Sequence, residues 1–186
     1  MNGNLQEDIV RKIRSLVVFL IVALVFFGCA TTGKMAKEEK GRFYERTGGF
    51  SIMIPDAWEV QEIPGLKYKA LVGPADNDFT PNINFVDETF DGSTDVYVSA
   101  VITQLKNLFD ENIEILQRDS FVTSKNLSGE KVVFNTVQYG LQFRQILYCF
   151  PGNGIKIIAT CTAAGKSGEA FAEMFDRTLA TFEWIQ

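Results

Sequence analysis

The chain of 186 residues contains no histidine. That absence removes Ser-His-Asp and Cys-His catalysis and most zinc sites, which all rely on an imidazole. Cysteine is scarce, with three residues in all, so the fold is not a disulfide-stapled scaffold. Basic residues are missing between Lys69 and Lys106, while that stretch holds Asp76, Asp78, Asp87, Glu88, Asp91 and Asp95. The whole chain carries a formal charge of −5. An acidic chain is poorly matched to nucleic acid or an anionic lipid surface, and no nucleic-acid partner is expected. One acidic edge of the fold is expected instead. Solvated loops are the default reading of it, and Asp87, Glu88 and Asp91 are the candidate contacts for a protein partner.

The longest apolar run is LVVFLIVALVFFGC at 16–29, preceded by Arg11, Lys12 and Arg14. Twelve apolar residues fall short of the roughly 20 needed to span a bilayer. They fit the apolar core of a secretory signal peptide, with small Gly28 at the cleavage point. Cys29 directly after it resembles a bacterial lipobox, in which the thiol is acylated with chains such as palmitate and becomes the first mature residue. Phe26 stands where Leu, Val or Ile is usual, so the box resembles the relaxed ones of spirochaetes. The alternative is an uncleaved N-terminal anchor, and both readings export the domain. Removing 1–28 takes away three basic and two acidic residues and leaves 158 residues with a charge of −6. Stable anchoring takes more than one acyl chain. In a two-membrane cell, Ala30 rather than Asp after the cysteine points to the outer membrane, on the periplasmic or extracellular side.

Residues 29–41 are polar beyond the cysteine and read as a tether, reaching at most about 40 Å when extended. The folded domain is expected over 42–186. Phe50 opens an alternating strand that stops at Pro55 and Asp56. Short strands follow from Trp58 and over 67–72, then another over 82–88. Ser93 or Thr94 can cap a helix over 94–109, with Asp95 at the positive end of its dipole. Val98, Val101, Leu105, Leu108 and Phe109 form its apolar stripe. Strands are expected over 113–122, 130–139, 142–150 and 155–162, the last two apolar on both faces, as central strands covered on two sides must be. A second helix over 168–180 turns Phe171, Met174, Phe175 and Leu179 inward. Phe182 and Trp184 close the chain on a short strand. Pairing Phe150 with Ile155 across the turn at 151–154 puts Cys149 and Cys161 about 16 Å apart along the strands, too far for a bridge. Both are expected as buried free thiols.

Three motifs imitate known chemistry. Gly165, Lys166 and Ser167 follow an apolar strand and open a helix, as a phosphate loop does, but Thr160 stands where that loop needs its first glycine. Asp76, Asp78 and Thr80 have phosphatase-like spacing without the parallel βαβ setting. The same residues with Asp87 partly mimic a calcium loop, but Pro81 takes the place of its turn glycine. Helix start and acidic turn are the better readings, and no cofactor or metal is expected. Trp58, Trp184 and the 13 phenylalanines left after removal of 1–28 read first as core; lining a cavity, they would hold an apolar ligand.

Phe50 through Pro55 to Trp58 resembles the opening strand and Pro-x-x-Trp turn of PsbP-like domains. The resemblance continues through Gly73-Pro74, Pro81, Asn82, Asn84 and Phe85 to Thr94, and ends with Phe175 and the strand around Phe182 and Trp184. It covers about 42–186. It implies an α+β domain, an α/β/α sandwich around a mainly antiparallel sheet, with the two helices on different faces. Phe50, Pro55, Trp58, Asn82 and Phe182 are its structural residues. The superfamily, which includes bacterial envelope lipoproteins, is not enzymatic as a class, so the resemblance implies a binding or assembly module.

The expected function is therefore a membrane-anchored envelope lipoprotein whose domain binds a protein or assists assembly. Carriage of a lipid or other apolar small molecule is the first alternative. A hydrolytic enzyme comes after it, because no paired carboxylate spacing stands out. Cys29→Ala is expected to release the protein into a soluble fraction or leave it unprocessed. Mass analysis of the native N-terminus checks this, and an unacylated Cys29 in the native protein would contradict it.

Overall fold

The computed structural model describes residues 40–186 apart from 77, 78, 153 and 186. The expected signal peptide, Cys29 and nearly all of the tether lie outside the described residues, as does Asp78. Among the described residues, ten strands and two helices follow in order. They are β1 (Arg42–Glu45), β2 (Phe50–Met53), β3 (Glu59–Gln61), β4 (Ala70–Val72), β5 (Asn82–Thr89) and α1 (Thr94–Phe109). After a 3-10 turn at Asp110–Asn112 come β6 (Ile113–Val122), β7 (Ser128–Gln138), β8 (Leu141–Pro151), β9 (Ile155–Ala164), α2 (Gly168–Leu179) and β10 (Glu183–Trp184). Seven strands form one antiparallel sheet in the order β3-β4-β5-β9-β8-β7-β6, and β1-β2-β10 form a small second sheet.

Side chains alternate along a strand, so each central strand serves two cores. Leu147, Cys149 and Ile158 face α1 and pack with its Tyr97, Val98, Val101, Leu105 and Phe109. Ile146, Tyr148, Phe150, Ile157 and Cys161 face the other way, toward Phe175 and Leu179 of α2 and Phe50 and Ile52 of β2. α1 begins as expected, the Val96 N–H donating to Ser93 Oγ at 3.3 Å. Leu108, expected on the apolar stripe, is 41% exposed instead. The layers are helix, sheet, helix, as the sequence implies, with the small sheet sharing the layer of α2. Phe182 connects the two parts of that layer. It stacks on Phe150 at 4.2 Å between ring centres and on Phe50 at 5.3 Å.

Three expectations need correction. β1 went unforeseen, and the strand expected over 67–72 is only Ala70–Val72. The β8–β9 register is displaced by two residues, since Phe150 pairs with Ile157. Gly152 N–H donates to the Ile155 carbonyl at 2.9 Å, so the reversal is completed within 152–155 and Pro151 stays in the strand. Cys149 then pairs with Ile158, and Cys161 with Ile146. An odd offset of three residues puts the two thiols on opposite faces of the sheet. Both are free and buried.

Phe182→Ala is expected to cost about 3–5 kcal/mol, the range for emptying a buried aromatic site. Urea unfolding would read it, and a loss below about 1 kcal/mol would mean that this ring does not close the core. Burial pushes the Cys149 thiol up to about 12 and raises the Cys161 thiol well above its ordinary value. Since the thiolate is the reactive form, neither should alkylate in the folded protein at pH 8. Both should do so in denaturant, with iodoacetamide uptake read by mass.

Candidate functional site

The sequence-derived acidic candidates do not meet on one surface. Asp87 and Glu88 are consecutive on β5 and point to opposite faces. Asp87 accepts from Lys67 Nζ at 2.8 Å with each carboxylate oxygen. Glu88 accepts from the Tyr97 hydroxyl at 2.9 Å, on the α1 side. Asp91 is exposed in the following loop. The loop at 165–167 uses its backbone internally: Gly165 N–H donates to the Gln142 carbonyl at 2.7 Å and Ser167 N–H to that of Ala164 at 3.0 Å. Among the described residues, no group of three or more His, Cys, Asp or Glu could hold a metal ion.

The residues carried by the resemblance fall into the architecture. Phe50 and Phe182 are fully buried, and Trp58 is 9% exposed. Asn82 is buried on the α1 side of β5, donating to the Thr80 carbonyl at 3.1 Å and accepting from Asn84 at 2.9 Å. It belongs to a polar seam on that face. Thr136 donates to Gln145 at 2.9 Å, and Gln145 to Thr162 at 3.3 Å. Asn84 Oδ1 and Thr160 Oγ1, on paired residues of β5 and β9, find no protein partner.

A concave feature lies on the other face, where the small sheet abuts α2. It is a half-open groove of about 490 Å³. Met53, Ile54, Pro55, Asp56 and Trp58 form one wall, and Ala170, Phe171 and Met174 of α2, with polar Arg177, Thr178 and Thr181, form the other. Pro55 makes the corner: its carbonyl accepts the Trp58 N–H at 3.1 Å. Ala57 there has φ of 65°, a left-handed conformation unusual for a residue with a Cβ. The turn sets the Trp58 indole edge-on against Phe175 at 6.0 Å. α2 is held to the sheet beneath by Asp176, which accepts from Lys131 Nζ at 2.6 and 2.7 Å and from the Tyr148 hydroxyl at 2.6 Å. Burial first, then nearby Cys161 and the bond to Asp176, raise the Tyr148 phenol well above its ordinary value, so it stays a donor at neutral pH.

Polar groups at the groove are mostly committed. Thr178 Oγ1 donates to the Met174 carbonyl at 2.8 Å. Thr181 Oγ1 donates to the Thr178 carbonyl at 2.6 Å and accepts the Met53 N–H at 2.9 Å. Arg177 pairs with Glu173 one helical turn away. Apolar contact, with polarizable Met53 and Met174 able to adapt to shape, is what the groove offers. The chain also joins the fold here, because Ile54 N–H donates to the Gly41 carbonyl at 2.7 Å. Periodicity had placed Phe171 and Met174 on the inner face of a helix. No local signal showed that segments over 100 residues apart would leave a gap between them.

The sequence matches no family model and no curated protein. Solved structures do share its architecture. LpqN of Mycobacterium tuberculosis, described as involved in cell envelope biogenesis, has 15% identity and a TM-score of 0.60 over 74% of this chain and 83% of its own. PsbP of the cyanobacterium Synechocystis has 10% identity and a TM-score of 0.60 over 82% of this chain and 98% of its own. A Pseudomonas aeruginosa protein of unknown function has 13% identity and a TM-score of 0.54 over 70% and 88%. At such identities the likeness is one of fold: the domain has the PsbP-like α+β fold, as its sequence implies.

Proposed function

We propose that this protein is a lipid-anchored cell-envelope protein whose domain is a non-catalytic binding module. Its contact surface is the groove between 53–58 and α2, and the groove takes an apolar segment of a protein partner. The observation that supports this reading is the groove itself, its lining more apolar than polar and its opening placed where the chain enters the domain. Protein grooves of this kind recognise a few aromatic or aliphatic anchors. The acidic stretch at 76–95 gives way to it as the contact surface, because Asp87 and Glu88 are already engaged within the domain. Envelope location rests on the signal-like segment and Cys29, and is in keeping with the description of LpqN.

Carriage of a lipid is the second reading, favoured by size. A volume of about 490 Å³ lies inside the range of about 300–1,000 Å³ usual for small-molecule sites. A photoreactive phenylalanine analogue at position 171, activated in intact cells, separates the two. Attachment to one protein supports the module, attachment to lipid moves the carrier to first place, and attachment to neither removes the groove as a site. Phe171→Asp is expected to weaken partner capture about 30-fold, the equivalent of a ~2 kcal/mol aromatic hot spot. Unchanged capture by a folded variant would contradict the assignment.

A further inference from the structure

We propose that residues 34–37 of the tether occupy the groove in the free protein, so that a partner must displace them to bind. This regulation rests on the groove being the contact surface of the domain. Ile54 N–H donates to the Gly41 carbonyl at 2.7 Å, and a Cβ at Gly41 would stand 3.8 Å from Met53 Cε. Arg42 donates to the Thr181 carbonyl at 3.1 Å, and Thr181 Oγ1 accepts the Met53 N–H at 2.9 Å. Met53, Ile54 and Thr181 all line the groove. The tether therefore joins the domain at one mouth of the groove, its Thr181 end.

Reach and composition match what lies beyond that mouth. From Thr178 the α2 wall runs back through Met174 to Phe171, seven residues or about 10 Å of helix. Met35 stands six residues before Gly41 and can lie up to about 20 Å from it. It is the only large apolar residue between Cys29 and Gly41. An unbranched thioether suits an irregular gap walled by Met53, Met174 and Phe171, and its sulfur is attracted to aromatic ring edges.

Charge sets the direction in which the segment runs. Working back from Gly41, the tether presents Glu39 and Glu38, then Lys37, Ala36, Met35 and Lys34. The groove presents Arg177 four residues before Thr181, and exposed Asp56 beyond the Pro55 corner of the other wall. Acid meets base near the mouth, Met35 enters the apolar middle, and a lysine on either side of it can reach Asp56. Arg177 also pairs with Glu173, but both side chains are exposed. Such a pair is too weak to keep the guanidinium from a second carboxylate.

Covalent linkage supplies the rest. A segment this close to its attachment point has an effective concentration in the millimolar range. With a Kd of the same order it holds the groove about half of the time.

The test places a photoreactive phenylalanine analogue at position 171 of the full chain, held in phosphatidylcholine vesicles with no other protein. Irradiation is expected to join position 171 to Met35–Lys37 of the same chain, read by mass after trypsin. Met35→Ser, which keeps the length and charge of the tether, should weaken the segment about tenfold and cut that product about fivefold. A product that Met35→Ser leaves unchanged reports proximity alone and overturns the proposal. Attachment to phosphatidylcholine, or to nothing, also overturns it. Intact cells read the binding module separately. There Met35→Ser is expected to raise attachment of position 171 to a partner protein about twofold, and unchanged attachment contradicts displacement. Partner attachment in cells without the tether product in vesicles leaves the module standing and removes the tether from the groove. The tether product with no partner in cells supports the occupancy and overturns the module.

Discussion

Burial of both faces of β8 and β9 is the constraint on which the rest of the structure depends. From Gln145 to Phe150, and from Lys156 to Ala163, every residue is buried. Most are apolar, so leaving either face of this pair in water would expose several large side chains, each costing about 1.5–3 kcal/mol. Two covering layers are therefore required. α1, with 16 residues, spans about 24 Å and covers one face alone. α2 has only 12 residues, about 18 Å, and leaves part of the opposite face open. The small sheet fills that remainder, and this accounts for its odd composition. β10 is two residues long, yet it is held where Phe182 stacks on Phe150 and Trp184 Nε1 donates to the Pro151 carbonyl at 3.0 Å.

A layer assembled from two unlike pieces has a joint, and the groove is that joint. Helix and strand surfaces have different periodicities, so their side chains do not interdigitate fully where they abut. Met53 and Met174 line the gap and Trp58 closes its floor toward Phe175. Rigidity is supplied from below: Asp176 ties α2 to Lys131 and Tyr148 on the sheet. The groove is therefore framed by fixed elements but walled by adaptable side chains, a combination suited to recognising shape. The opposite face has no such joint. There a single helix covers the apolar rows, and the rows beyond it turn polar at Asn82, Gln145 and Thr162.

Features set by local pattern were legible in the sequence. The boundaries of α1 follow from the Ser93 cap and the 3.6-residue spacing of Val98, Val101 and Leu105, and β8 and β9 from unbroken apolar runs. β1 was not legible, because Arg42 and Glu45 flank Phe43 and Tyr44 without any polar–apolar alternation, and the four-residue strand exists by pairing with β2. The hairpin register failed for a related reason. Pro151 reads as turn, yet a proline at the end of a strand, where no ladder bond is needed from its nitrogen, can remain paired. The separation of the thiols survived that error because it depends on odd parity as well as on distance. Trp58 was legible as core and proves to be both core and groove wall. The second role depends on contacts with α2, more than 100 residues away, which no window of sequence contains.

A half-open groove of moderate size binds weakly by itself, and this would count against a binding role for a freely diffusing protein. The anchoring proposed above changes that argument. Two groups tied to one surface by short flexible links meet at effective concentrations in the millimolar range. A partner held in the same membrane is then captured by a groove whose free energy of binding is only about −4 kcal/mol, corresponding to a Kd near 1 mM. An affinity of that order is within reach of a few buried aromatic and methionine contacts. It also leaves exchange fast. On the function proposed above, a short tether and a shallow apolar site are parts of one physical arrangement, in which proximity supplies what the contact surface lacks.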